Sequence, residues 1–417
     1  SGGGWFESSI LHQEILVMND TYCTFPFKQV AVKKIKRGKI IQYAPCCHIK
    51  PSARLKMPND DPTPDELFNS PEMKQLRSDL LEGIKNPTCD ACWKREARGQ
   101  RSFRITTPYQ PEAELNTLDL TMSNSCNLMC RMCTPTKSNK LMIDQKKWKD
   151  ASVDFEWMKP FWWDSTPHYT EKTKFYEYLM AHTEQFTTLK IIGGEPFYDK
   201  HVMNLLNLYI QNGNAPSTRL EFHTNGTVID DRVINVISKF KTNAHTFSVD
   251  GTGKTYEYIR HNADFQVLDA NIRNYLKLDN IEVLDFNYVI SAHNLHNIVD
   301  WVKWIHSFDT PFRLAWSDVY PVARGIHIGH LPTKILKPVY DEIEAQDWGW
   351  REHKDSVLQI IKLAMDQPFT KEGAMKLYRE TELFDMSRNQ TFKDFLYHPM
   401  VEYLTSVKQK YLTKVKK

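Results

Sequence analysis

Apolar residues recur with two different periods through the middle of the chain. Short runs rich in β-branched and aromatic residues predict strands over Leu115–Met122, Thr188–Ile192, Arg219–His223, Thr246–Val249, Glu282–Ile290 and Arg313–Trp316. Between them, apolar positions spaced three and four apart predict helices over Val202–Gln211, Arg232–Lys241 and Leu295–His306. Six such repeats across residues 113–325 imply an α/β fold with parallel strands and right-handed crossovers. A doubly wound sheet and a barrel both satisfy the alternation, and both place ligands at the carboxyl ends of the strands.

The flanking segments read differently. Within residues 5–105, Val30-Ala31-Val32 and Ile40-Ile41-Gln42-Tyr43 flank Lys36-Arg37-Gly38-Lys39, which predicts a hairpin with a glycine turn. Ser70 as cap, Pro71 in the first turn and Glu72 after it open a helix that runs through Leu76, Leu80 and Leu81 to Ile84. Residues 330–417 read as helical, over Ile335–Ala345, Val357–Met365, Gly373–Leu383 and Phe392–Tyr411, ending in a basic, solvated tail from Lys408 to Lys417. The stretch Lys137–Phe186 carries Trp148, Trp157, Trp162 and Trp163. Part of it is the helix after the first predicted strand. The rest is an insertion whose tryptophans serve core packing or line a substrate wall.

Composition narrows the classes. The chain has 417 residues, with Lys plus Arg at 54 against Asp plus Glu at 51, a net charge of +3. That near balance gives no general argument for nucleic acid. No apolar run is long enough to cross a bilayer, so no membrane association is expected. No basic stretch followed by an apolar one opens the chain, and Ser1-Gly2-Gly3-Gly4 read as an appended remnant.

All eight cysteines lie in the first third: Cys23, Cys46, Cys47, Cys89, Cys92, Cys126, Cys130 and Cys133. A disulfide framework would not leave two thirds of so large a chain unstapled. Clustered reduced thiols in a cytoplasmic protein read as metal or cluster ligands. Cys126, Cys130 and Cys133, spaced C-x3-C-x2-C directly after the first predicted strand, can ligate three irons of a [4Fe–4S] cluster and leave the fourth open. An open iron chelates an amine and a carboxylate together, which S-adenosylmethionine (SAM) offers. One electron into its sulfonium releases a 5′-deoxyadenosyl radical.

In this motif the chain resembles the radical SAM superfamily. Ile191-Ile192-Gly193-Gly194-Glu195-Pro196, ending the second strand, resembles that superfamily's GGEP element. The resemblance implies a partial (β/α)6 TIM-like barrel over 113–325. It also implies that Gly193 and Gly194 let backbone approach bound SAM while Glu195 accepts from its ammonium group. By the same resemblance Ser248 and Asp250, in Phe247-Ser248-Val249-Asp250-Gly251, lie near the ribose and substrate. A polar loop with an Asp cap would carry the same residues. Asn225 in His223-Thr224-Asn225-Gly226 contacts SAM or shapes a turn. Arg260 pairs with the SAM carboxylate or is a solvated helix arginine. Ser291 and Asn294 face the adenine. Met132 stands where the family often has an aromatic residue, which implies a softer contact with that ring.

The remaining cysteines, together with the hairpin and the helix opened by Ser70, resemble a twitch module, a small relative of the SPASM domain, placed here before the barrel. That implies a small α+β domain over 5–105 with an auxiliary [4Fe–4S] cluster on Cys23, Cys46, Cys89 and Cys92, with Cys47 as alternate. Four thiolates with a C-x2-C pair also suit zinc. The expectation is a radical SAM enzyme with two [4Fe–4S] clusters, reduced by a flavodoxin or ferredoxin type partner and acting on a peptide or protein. The alternatives are a small-molecule substrate, a relative that binds SAM without cleaving it, and a zinc-stapled RNA-binding protein using Lys33-Lys34-Ile35-Lys36-Arg37 and the basic tail.

Overall fold

The computed structural model describes residues 20–36, 39–49, 55–97, 102–106, 112–161, 173–318, 324–349 and 351–412. The strands are β1 (Gln29–Lys36), β2 (Lys39–Ala44), β3 (Thr117–Thr121), β4 (Met129–Cys130), β5 (Thr188–Ile192), β6 (Arg219–Thr224), β7 (Thr242–Ser248), β8 (Arg260–His261), β9 (Ile281–Ile290) and β10 (Arg313–Asp318). Eight of them form one sheet in the order β10-β9-β7-β6-β5-β3-β1-β2. The pairs β10–β9, β6–β5, β5–β3 and β3–β1 are parallel, and β1–β2 is antiparallel. All six strands expected over residues 113–325 are present. β7 begins at Thr242, four residues ahead of expectation.

β1 and β2 pair as the sequence predicts, with Arg37 and Gly38 of the expected turn outside the described residues, but they do not build a sheet of their own. β1 joins β3 in parallel, from Gln29 opposite Thr117 to Val32 opposite Leu120. The outer edge of β3 would otherwise present unpaired N–H and C=O groups, and β1 satisfies them. β3 is buried along its whole length, as a strand covered on both faces must be.

The chain forms two compact units. The first takes the described residues of Ser1–Asn124, Thr166–Phe222 and Val236–Asn243. In it, Ser70 caps the helix Pro71–Leu81 by accepting from the Met73 N–H at 3.3 Å. That helix stops before Ile84, where the exposed Leu81 and Ile84 have no apolar face to bury against.

The second unit takes Ser125–Ser165, His223–Asn235 and the described residues of Ala244–Lys417. Its C-terminal helices are Thr333–Ala345, Arg351–Met365, Lys371–Arg388 and His398–Val407. The last expected helix is broken by Pro399 into a short turn at Phe392–Asp394 and the helix from His398. Helix Gly253–Ile259 follows β7, and helix Phe265–Tyr275 follows β8. Lys408 pairs with Glu382 at 3.2 Å and helical turns continue to Leu412, while the rest of the expected tail lies outside the described residues.

Trp148, on the helix Met142–Asp150, is fully buried with Met129, Phe155, Met158, Leu383 and Phe384, and its indole N–H donates to the Leu383 carbonyl at 2.9 Å. Trp157 is half-buried against the same cluster, so these two tryptophans serve the core, while Trp162 and Trp163 lie outside the described residues. Replacing Trp148 with Ala should lower stability by about 3–5 kcal/mol, read as a reduced urea midpoint.

Candidate functional site

Cys126 follows β3 in the chain. The loop it opens is fastened by main-chain contacts. β4 and β8 form a two-residue antiparallel ladder that sets Met129 opposite His261 and Cys130 opposite Arg260. The Cys133 N–H donates to the Cys130 carbonyl at 3.1 Å, and the Ser138 hydroxyl to the Leu128 carbonyl at 2.7 Å. Cys126 and Cys130 are buried with Leu128. Cys133, Met132 and Ala263 pack against them, so the three predicted thiols share one apolar cluster.

Donors converge on these sulfurs. The Leu128 N–H lies 3.5 Å from Cys126 Sγ, Asn225 Nδ2 lies 4.0 Å from the same sulfur, and Arg260 Nη1 lies 3.6 Å from Cys130 Sγ. Asn225 also donates to Asn127 Oδ1 at 2.9 Å and accepts from the Thr227 N–H, so it shapes the turn and touches the thiol at once. Gly226 follows with φ +74°, where a Cβ would meet Leu268 at 2.7 Å.

Arg260 is buried, not a solvated helix arginine. Its Nη2 lies 2.6 Å from Asp250 Oδ2, and Asp250 Oδ1 accepts from the Val289 N–H at 2.8 Å. Asp250 is therefore an ion-pair partner, and the following helix starts at Thr252 instead. Burial disfavours the Arg260 charge, yet Asp250 and Cys130 hold its pKa above the usual value. Its Nε is buried with no hydrogen-bond partner among the described residues.

Ser291 and Asn294 are fully buried. The Ser291 N–H and hydroxyl both donate to Asn294 Oδ1, and Asn294 Nδ2 returns to the carbonyls of Asp250 and Val289, each at 2.9 Å. Both residues lock the loop after β9. Ser248 ends β7, half-buried.

Gly193, Gly194 and Glu195 belong to the first unit, at the end of β5. Both glycines have positive φ, +90° and +56°. A Cβ on Gly193 would stand 2.7 Å from Thr121 Cγ2 and 3.3 Å from the Ser123 carbonyl, so only glycine brings the backbone this close. Glu195 is buried and caps the following turn, accepting from the Phe197 N–H at 3.3 Å.

The first unit also gathers four of its five thiols. Cys23 precedes the helical turn Phe25–Lys28, Cys46 follows β2, and Cys89 and Cys92 bracket the start of the helix Asp90–Glu96. All four line one pocket, walled by Phe25 and Phe103. Cys47 does not line it; Lys190 Nζ lies 3.7 Å from its sulfur instead. Arg104 spans the rim, donating to the Tyr22 carbonyl at 3.0 Å and stacking 4.5 Å from the Trp93 ring.

The thiol chemistry fits a bound cationic group at both places. Burial pushes Cys23 well up, and the neighbouring Cys46, Cys89 and Cys92 push the same way. Burial, then Cys92, drives Cys89 to about 12. Burial drives Cys130 to about 12 against the pull of Arg260. Crowded anions that repel each other without metal become mutually stabilising once a cluster binds. Among the described residues no three His, Cys, Asp or Glu side chains converge on a point sized for a single ion.

Sequence reasoning missed Arg131, Arg324, Glu380 and Asp385, four buried charged residues of the second unit. Arg131 lies between two of the motif cysteines, and a charge inside such a motif was the only available signal.

Residues 120–305 match the Radical SAM superfamily. Over those residues the chain carries a radical SAM domain. No curated protein matches the chain. Among solved structures it is similar to a histidine-tagged anSMEcpe with bound AdoMet, at 14% identity over 55% of this chain and 61% of that one, with a TM-score of 0.36. It is also similar to Streptococcus suis SuiB bound to precursor peptide SuiA, at 12% identity over 69% and 52%, with a TM-score of 0.33. SuiB bound to S-adenosylmethionine matches at 12% identity over 70% and 51%, with a TM-score of 0.32. The chain spans between 51% and 61% of these proteins' length, and the class rests on the family match instead.

In metal-free protein the raised thiol pKa values make a pH prediction. A thiol held at about 12 is protonated at pH 8, so alkylation of Cys89 and Cys130 should be at least about a hundredfold slower than in unfolded chain. The rate should climb about tenfold per pH unit toward 11, as mass spectrometry of the labelled peptides can show.

Proposed function

We propose that the protein reductively cleaves SAM at a [4Fe–4S] cluster held by Cys126, Cys130 and Cys133 and abstracts hydrogen from a peptide or protein. The single observation that carries this reading is the trio of thiols sharing one buried apolar cluster in a matching domain. The second unit contains no fourth cysteine, which leaves one position of such a cluster open for SAM. When bound, the cluster and SAM supply a radical able to take hydrogen from unactivated carbon.

The chain's own residues bind and orient. Arg260 and Asn225 direct N–H groups at ligand sulfurs, which stabilises negative charge there and raises the ease of reduction. Asp250 fixes the guanidinium and compensates its charge in a dry setting. Gly193 and Gly194 keep a strand end bare of side chains, which suits a bound amino acid group, and Glu195 would accept from its ammonium.

We further read the first unit as twitch-like, with Cys23, Cys46, Cys89 and Cys92 holding an auxiliary [4Fe–4S] cluster and Cys47 outside it. Support comes from the four thiols that line one pocket. A reductant of flavodoxin or ferredoxin type and a cytoplasmic setting go with this chemistry. Among the described residues no helix is long and apolar enough to cross a membrane. A peptide or protein substrate is favoured over a small molecule by the surface that the C-terminal helices add.

Anaerobic reconstitution should give brown protein with about eight irons per chain. Changing Cys126, Cys130 and Cys133 together to Ala should halve the iron and abolish 5′-deoxyadenosine formation after dithionite reduction. Cys46→Ser should lose the other half and Cys47→Ser should lose none. A colourless zinc protein would sink the reading, and iron-loaded protein that makes no 5′-deoxyadenosine would leave a SAM binder without catalysis.

A further inference from the structure

The helix Lys371–Arg388 lies far along the chain from the cysteine loop, yet two of its acids reach that loop through arginines. Glu380 is fully buried and pairs with Arg324, whose Nε lies 2.8 Å and Nη2 2.5 Å from Glu380 Oε1. The same guanidinium donates to the Arg131 carbonyl at 2.6 Å and the Met132 carbonyl at 3.4 Å, the two peptides between Cys130 and Cys133. The Gly325 N–H donates to the other Glu380 oxygen at 2.6 Å.

Asp385, one turn on, makes the second contact. Its Oδ1 lies 2.5 Å from Arg131 Nη2 and accepts from the Tyr258 hydroxyl at 2.8 Å, while Oδ2 caps the Phe392 N–H at 2.7 Å. Arg131 is itself fully buried, donates to the Tyr258 carbonyl at 2.8 Å and stacks 3.6 Å from the Tyr258 ring. A third pair, Arg388 with Asp144, ties the helix to the helix Met142–Asp150 at 2.8 Å.

Buried ion pairs of this kind contribute little net stability, and an apolar replacement of similar volume would often do as well. What they do supply is orientation: a guanidinium fork fixes two carbonyls at once, as no apolar side chain can. We propose that Glu380 and Asp385 are positioning residues for the cysteine loop, acting through Arg324 and Arg131, so that the C-terminal helix is part of the cluster site. This rests on the reading that Cys126, Cys130 and Cys133 hold a cluster.

The test uses the full chain as Glu380→Gln, Asp385→Asn and Arg324→Lys, with Glu382→Gln as a surface control. In metal-free protein, amide exchange of residues 128–134 should be about tenfold faster in the three variants and unchanged in the control. After anaerobic loading, the electron paramagnetic resonance signal of the reduced cluster, with and without SAM, should shift in the three and not in the control. Unchanged exchange overturns the proposal, and so does faster exchange with an unaltered signal. If the wild type itself shows no cluster signal, the proposed function fails, while the exchange measurement still decides whether the helix holds the loop. If Glu380→Gln or Asp385→Asn loses its cooperative melt, Arg324→Lys, which keeps the charge and loses the fork, decides by the same two measurements.

Discussion

Thiols crowded where water is scarce resist ionisation, and only a bound cation reverses that preference. Both cysteine groups are built around this constraint. Burial raises Cys23, Cys46, Cys89, Cys130 and Cys133 alike, and repulsion from neighbouring thiols adds to the first four. What surrounds each group follows from how the charge is to be managed. At Cys130 the fold supplies Arg260, itself neutralised by Asp250. At the four-thiol pocket it supplies aromatic walls and an arginine at the rim.

The sheet and the loop divide the labour. Strand ends place the chemistry in each unit: the two glycines end β5, and the cysteine loop follows β3 in the chain. The strand ends alone do not set side-chain angles. That is left to short-range devices: the ladder of β4 and β8, the Asn294 side chain that closes the loop after β9, and the left-handed backbone at Gly193 and Gly226.

The parts legible in the sequence are those whose signal is local. C-x3-C-x2-C is eight residues long, and β-branched runs bounded by turns mark β5, β6 and β9 to within a residue or two. Ser70 with Pro71 marked its helix start because a cap acts on its own first turn. What escaped had partners far away. β1 was readable as half of a hairpin, but nothing in Val30–Val32 says that its other edge meets β3. β4 and β8 are two residues each, too short for any period. Glu380 and Asp385 sit on a helix where an acid ordinarily faces solvent, and their burial depends on arginines 56 and 254 positions away.

That separation bears on how the protein is made. Arg131 leaves the ribosome 254 residues before Asp385. At about 5–20 residues per second, translation leaves the cysteine loop without its Asp385 contact for about 13 to 50 seconds. If the cysteines hold a cluster as proposed, loss of the helix that carries Asp385 would weaken cluster insertion before it touched any later step.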